Sequence, residues 1–194
     1  MKQLQYLADH DSVTHIYNKS AFFRRTRTLL DENQSCTYAL VCFDIIRFRA
    51  VNDIFGYEAG DQLLRHIATQ MQTIVGEKGV CARIATDMFA MCIPNDDVEA
   101  TLAALSASVK DYNFRFVVQL CYGVYTVDDL SLSVNQMMDR ASMAERSVKG
   151  SYVRNVAWYD DTMSLRLQEE QRMLSDMEQG LKDGEFIVYY QPKC

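Results

Sequence analysis

The chain has 194 residues, of which 48% are apolar and only two are proline. That composition describes an ordered globular protein with room for one substantial core and a fragment of another, and it excludes a disordered tail. A formal net charge of −6 without any dense Lys/Arg block excludes a general nucleic-acid binder, although local positive charge can still serve a small phosphorylated ligand.

No apolar run is long enough to span a bilayer, and no signal peptide opens the chain. The six cysteines (36, 42, 81, 92, 121 and 194) lie scattered without CxxC or Cys/His spacing. The expectation is therefore a cytoplasmic protein with reduced thiols, in which Cys42, Cys92 and Cys121 act as small core residues.

In chain order, a turn at Asp11–Thr14 leads into a helix over Asn18–Leu30, with Phe22, Phe23, Leu29 and Leu30 on its apolar face. Tyr38–Asp44 is a continuous apolar run ending in a charge, the pattern of a buried strand whose tip reaches a site. Glu58–Val75 repeats apolar residues with helical period. Val80–Ile84 and Phe89–Ile93 form a hairpin, and Asp96–Val109 a helix capped by Asp96 or Asn95. A strand over Phe114–Val124, a helix over Val134–Val148 and a short strand over Val156–Tyr159 complete the set. Helices interleaved with strands in this order predict an α+β fold, one central, mainly antiparallel sheet flanked by helices. From Asp160 the character changes to a charged helix over Asp160–Lys182, with Leu167, Leu174 and Leu181 at heptad spacing. It ends at Asp183-Gly184, and Glu185–Tyr190 reads as a new strand.

Two acids stand at strand tips, Asp44 and Asp87. A carboxylate pair is a common way of holding Mg²⁺ against nucleotide phosphates, because the ion prefers oxygen ligands and keeps several waters. Taken alone, each reads first as a strand-end or turn aspartate. Asn52 and Asp61 offer donors and acceptors suited to the edge of guanine, or are a helix cap and a surface residue. Met137, Met138 and Met143 read as core filling, and the three histidines show no metal or triad spacing.

Four segments follow one another at a telling spacing: Asp11–Phe22 (DSVTHIYNKSAF), Phe43–Asp61 (FDIIRFRAVNDIFGYEAGD), Ala82–Phe89 (ARIATDMF) and Asp139–Asn155 (DRASMAERSVKGSYVRN). Together they resemble the GGDEF family of diguanylate cyclase domains, over roughly residues 9–160. The tail ending GEFIVYYQP resembles the opening of an EAL phosphodiesterase domain. The resemblance implies a ferredoxin-like, nucleotide-cyclase palm core in residues 1–160, a linker helix over 161–183, and at 184–194 the truncated start of an EAL domain. It implies that Asp44, the Ile45 carbonyl and Asp87 hold Mg²⁺, that Asn52 and Asp61 read guanine, and that Arg146 or Lys149 neutralises the phosphates of GTP.

The departures from the family pattern carry as much weight. Its Gly-Gly-Asp/Glu-Glu-Phe turn is Ala85-Thr86-Asp87-Met88-Phe89, so both glycines and one acid are missing. A β-branched Thr86 is poorly suited to a position where glycine supplies positive φ or close approach to a ligand. Ile46 stands where many members carry Asp, and Arg49 where they carry Lys. The RxxD inhibitory site expected ahead of the hairpin is Gly76-Glu77-Lys78-Gly79. Losing an acid from a site that must activate a ribose hydroxyl typically costs on the order of 10²-fold or more in rate. The expectation is a catalytically degenerate GGDEF domain that regulates a downstream EAL domain, by binding GTP with Mg²⁺ or as a scaffold and homodimerisation surface. The alternative is a diguanylate cyclase with residual activity.

Overall fold

The computed structural model describes residues 2–110, 112, 118–151 and 154–186. A strand buried from end to end, Tyr38–Ile45 (β2), fixes the layout of the larger of two units, Met1–Tyr159. The elements before it are α1 (Lys2–Asp9), β1 (Tyr17–Asn18) and α2 (Lys19–Glu32). Those after it are α3 (Phe48–Phe55), α4 (Tyr57–Val75), β3 (Val80–Arg83), β4 (Met88–Pro94), α5 (Val98–Lys110), β5 (Leu120–Thr126), α6 (Val134–Val148) and β6 (Val156–Trp158). The six strands form one sheet in the order β1-β3-β4-β2-β5-β6, antiparallel through its centre and parallel at its two outer pairs. The expected sheet flanked by helices is present.

Burial on both faces explains why β2 reads as an unbroken apolar run. Ala39, Val41, Phe43 and Ile45 join the core built with α3, α4 and α5. Tyr38, Leu40 and Cys42 join the core built with α2 and α6. With side chains alternating along a strand, Asp44 belongs to the second set and points toward α6.

Local chemistry sets the element ends. Asn18 caps α2, its side chain accepting from the Ala21 N–H at 3.0 Å. Ser133 and Gln136 form a reciprocal capping box at the start of α6. A single residue, Arg47 at φ 61°, turns the chain from β2 into α3. Gly56 at φ 86° serves at once as the end of α3 and the start of α4, a conformation natural to glycine. Gly123 has a different task. A Cβ there would lie 2.0 Å from the Ala141 carbonyl and 2.3 Å from the Glu145 nitrogen, so its absence lets α6 rest on the backbone of β5.

Several expectations shift in detail. Helices α1 and α3 are additional to those expected. Asn95–Asp97 forms a short 3₁₀ turn in place of a helix cap. The strand expected from Phe114 is observed from Leu120, residues 113–117 lying outside the described ones. Met137 and Met138 fill the core as expected, and the described cysteines are free thiols.

The second unit, Asp160–Cys194, is described from 160 to 186. Helix α7 (Asp161–Lys182) starts at Asp160, whose carboxylate accepts from the Thr162 N–H at 2.8 Å. Leu167, Leu174 and Leu181 are all exposed along it. The strand expected over Glu185–Tyr190 lies, from residue 187 onward, outside the described residues. No described helix is long and apolar enough to cross a membrane.

Candidate functional site

The site gathers at the C-terminal end of β2. Asp44 is 6% exposed and has Met88 of β4 and Cys121 of β5 as its direct cross-strand partners. One carboxylate oxygen, Oδ1, accepts from the Ile45 N–H at 2.9 Å. The other, Oδ2, accepts from the Lys149 ammonium. Lys149 caps the C-terminus of α6, and its Nζ also lies 3.9 Å from Glu145 Oε1. Gly150 follows at φ 93°, which turns the chain away immediately after the lysine.

Asp87, in the β3–β4 turn, comes within hydrogen-bonding reach of Asp44. Burial first, then the negative charge of Asp44 and the hydrogen bond to it, raise the Asp87 carboxyl above its ordinary value. Burial raises Glu145 too, against the pull of Lys149, while the bond to Asp44 raises Lys149. Cys121 is pushed up to about 12 by burial and is an inert thiol.

The turn that carries Asp87 is held from outside the site. Arg83 donates from Nε to the Thr86 carbonyl at 3.2 Å and from Nη1 to Asp11 Oδ1 at 3.0 Å. That same Oδ1 accepts from the N–H groups of Val13 and Thr14 and from the Thr14 hydroxyl. None of Ile84 to Met88 has positive φ. Ala85 and Thr86 therefore sit in this turn without left-handed backbone strain. Met88 sits partly buried against the α2/α6 core, on the face that Asp44 shares.

A second cluster lies where α3 meets α4. The Asn52 carboxamide packs against Gly60, where an added Cβ would fall 2.0 Å from Oδ1. Asn52 Oδ1 is buried with no hydrogen-bond partner among the described residues, an unfilled acceptor that a ligand donor would satisfy. Asp61, next to Gly60, is part-exposed, with Arg65 at 3.6 Å. The first turn of α3 begins three residues after Ile45, and no side chain caps its N–H groups.

Of the expected site residues, Asp44, Asp87 and Lys149 converge, and Asn52 lies beside the residue preceding Asp61. Ile45 places its side chain in the core. Arg146 is exposed and contributes charge to the surroundings of Glu145. Sequence reasoning missed Glu145, Arg83 and the anchoring role of Asp11. The one available signal for Glu145 was its spacing of four from Lys149 on a helix.

Among the described residues, no three or more His, Cys, Asp or Glu side chains gather as a metal site. Two carboxylates are too few for a protein-only cage, but they match Mg²⁺, which is usually held by one or two carboxylates together with substrate phosphates. The donor set fits that ion.

Residues 8–152 match the family described as "Diguanylate cyclase, GGDEF domain". The probable diguanylate cyclase DgcE of Escherichia coli (strain K12) is 30% identical over 194 residues, covering 91% of this chain and 18% of that protein. The bifunctional diguanylate cyclase/cyclic di-GMP phosphodiesterase MucR of Pseudomonas aeruginosa is 25% identical over 205 residues, covering 99% of this chain and 29% of that protein. Among solved structures, the GGDEF domain of DgcB from Caulobacter crescentus in complex with c-di-GMP aligns with a TM-score of 0.70 and 24% identity, over 78% of this chain and 95% of that one. Vibrio cholerae LapD S helix-GGDEF-EAL, bound to c-di-GMP, aligns with a TM-score of 0.71 and 20% identity, over 90% of this chain and 44% of that one. The chain thus spans less than a third of these two curated relatives.

Proposed function

The chain belongs to the GGDEF family of diguanylate cyclase domains, and from that membership we propose that it is a regulatory module that binds GTP with Mg²⁺ and does not cyclise it. The observation that carries this reading is the make-up of the β2 tip. Two carboxylates, Asp44 and Asp87, meet there, while the cross-strand position beside Asp44 holds the thioether of Met88.

Asp44, Asp87 and the Ile45 carbonyl would hold the ion, which when bound neutralises charge on the phosphates. Asn52 and Asp61 read the donor-rich edge of guanine, and the unfilled Oδ1 of Asn52 suits the guanine N–H groups. The uncapped first turn of α3 and the Lys149 ammonium, with Arg146 nearby, offer donors and positive charge to the phosphates. Cyclisation also needs the ribose 3′-hydroxyl to lose its proton. A positioned acid or base contributes about 10²–10⁴-fold to such a step. Met88 can neither accept that proton nor bind the ion.

In this reading residues 1–160 form the nucleotide module, 161–183 a linker helix, and 184–194 the opening of an EAL-type segment, the partner that nucleotide binding would regulate. The combination of both activities in the name of MucR, and of both domains in the LapD structure, supports that arrangement.

Calorimetric titration with GTP and Mg²⁺, paired with mass spectrometry of the incubated mixture, tests the proposal. Saturable binding without cyclic-di-GMP is the expected result. Absence of binding at millimolar GTP would remove the nucleotide reading and leave a scaffold or homodimerisation role. Product that vanishes in Asp87→Ala would restore the cyclase.

A further inference from the structure

Both carboxylate oxygens of Asp44 already carry a donor. Oδ1 is engaged by the Ile45 N–H, and Oδ2, the oxygen left for a metal, is engaged by Lys149. The lysine is also held from behind. Glu145 is 2% exposed, and its Oε1 has no hydrogen-bond partner among the described residues. The same Lys149 ammonium lies 3.9 Å from that oxygen. A buried carboxylate is costly unless paired, so Glu145 draws the ammonium inward toward Asp44. The closeness of α6 to β5 at Gly123 puts Glu145 there, and the end of α6 at Lys149 fixes the length of the tether.

We infer that Lys149 is a resident cation of the Asp44–Asp87 pair, and that its bond to Asp44 and a divalent ion at Asp44 exclude one another. The Lys149 side chain is about half exposed at 52%, so its outer side is open to an incoming anion. This inference rests on the nucleotide-binding reading for its biological sense. Phosphates would accept the ammonium and release Asp44, so that metal and nucleotide enter together and metal alone enters poorly. Glu145 acts as a positioning residue, since it touches the lysine and not the ligand.

The test uses no nucleotide, which separates its failure from that of the GTP reading. Mn²⁺ binding to the whole chain is measured by electron paramagnetic resonance in the wild type, Lys149→Met and Lys149→Gln, with folding checked by circular dichroism. Freeing a carboxylate from one charge-assisted hydrogen bond is expected to tighten Mn²⁺ binding about tenfold or more in both variants. Lys78→Met, which removes one positive charge away from Asp44, should give no such gain, whereas a general effect of net charge would appear there too. If both variants bind Mn²⁺ no more tightly than the wild type, Lys149 is a structural ion pair and the inference is wrong. Two variants of different polarity keep the measurement decisive should one of them fail to fold.

Discussion

Asp44 and Met88 are direct partners across β2 and β4, with side chains on the same face of the sheet. A thioether is therefore the immediate cross-strand neighbour of the Asp44 carboxylate. Its environment is partly apolar, since Met88 packs against the core beneath α2 and α6.

Met88→Glu places an acid at that position and brings a third negative charge to Asp44 and Asp87. Like charges in a partly buried site repel, so the variant should lose about 1–2 kcal/mol of stability without metal. Millimolar Mg²⁺ should recover most of that loss, because a ligand that binds only the folded state stabilises it. Urea denaturation with and without Mg²⁺ measures both effects. A variant indifferent to Mg²⁺ would show that the acid pair does not hold the ion.

Gly60→Ala sets two effects against each other. Alanine favours a helix over glycine by about 1 kcal/mol, yet its Cβ would fall 2.0 Å from Asn52 Oδ1 and 3.2 Å from Phe48 Cζ. Moving the Asn52 carboxamide relieves most of the clash, so stability should change by less than about 1 kcal/mol. GTP affinity, which in the proposed function draws on that carboxamide, should drop about tenfold or more. Calorimetry beside thermal melts distinguishes this outcome from general destabilisation.

Asp11→Asn probes the anchor of the hairpin turn. Burial alone would raise the Asp11 carboxyl, but hydrogen bonds from the Thr14 hydroxyl and N–H, together with Arg83, lower it below 3.8. A lowered native value means that the stabilisation is fully present above the unfolded value and is lost as pH falls through the native one. An amide oxygen can still accept the Val13 and Thr14 N–H bonds, so the variant should cost about 1 kcal/mol near neutral pH, and the difference from wild type should shrink below pH 3.8. Denaturant midpoints across an acid pH series test the sign.

Long elements with strong periodicity are legible in the sequence alone. The run of β2 and the stripes of α4 and α6 announce themselves, and α6 ends at the expected residue. Helix α3 is hidden because its eight residues follow Arg47, whose left-handed φ no propensity foretells. The two acids are legible as strand tips, but their meeting depends on β4 lying next to β2, which is a fact of strand order.

Other parts of the site needed the fold itself. Asp11 and Arg83 meet across 72 residues of chain. The choice between Arg146 and Lys149 depends on where α6 ends relative to Asp44. The poor fit expected of Thr86 assumed the turn geometry that the family's glycines permit, whereas this turn uses none of the left-handed backbone that would penalise a β-branched residue.

The two ends of the sheet carry a last consequence. Among the described residues, it closes with two paired residues at β1 on one side and three at β6 on the other. Edges this short offer little template for an added strand. Recruitment of another chain by extending the sheet is therefore disfavoured, and contacts with copies or neighbours fall to helices and loops.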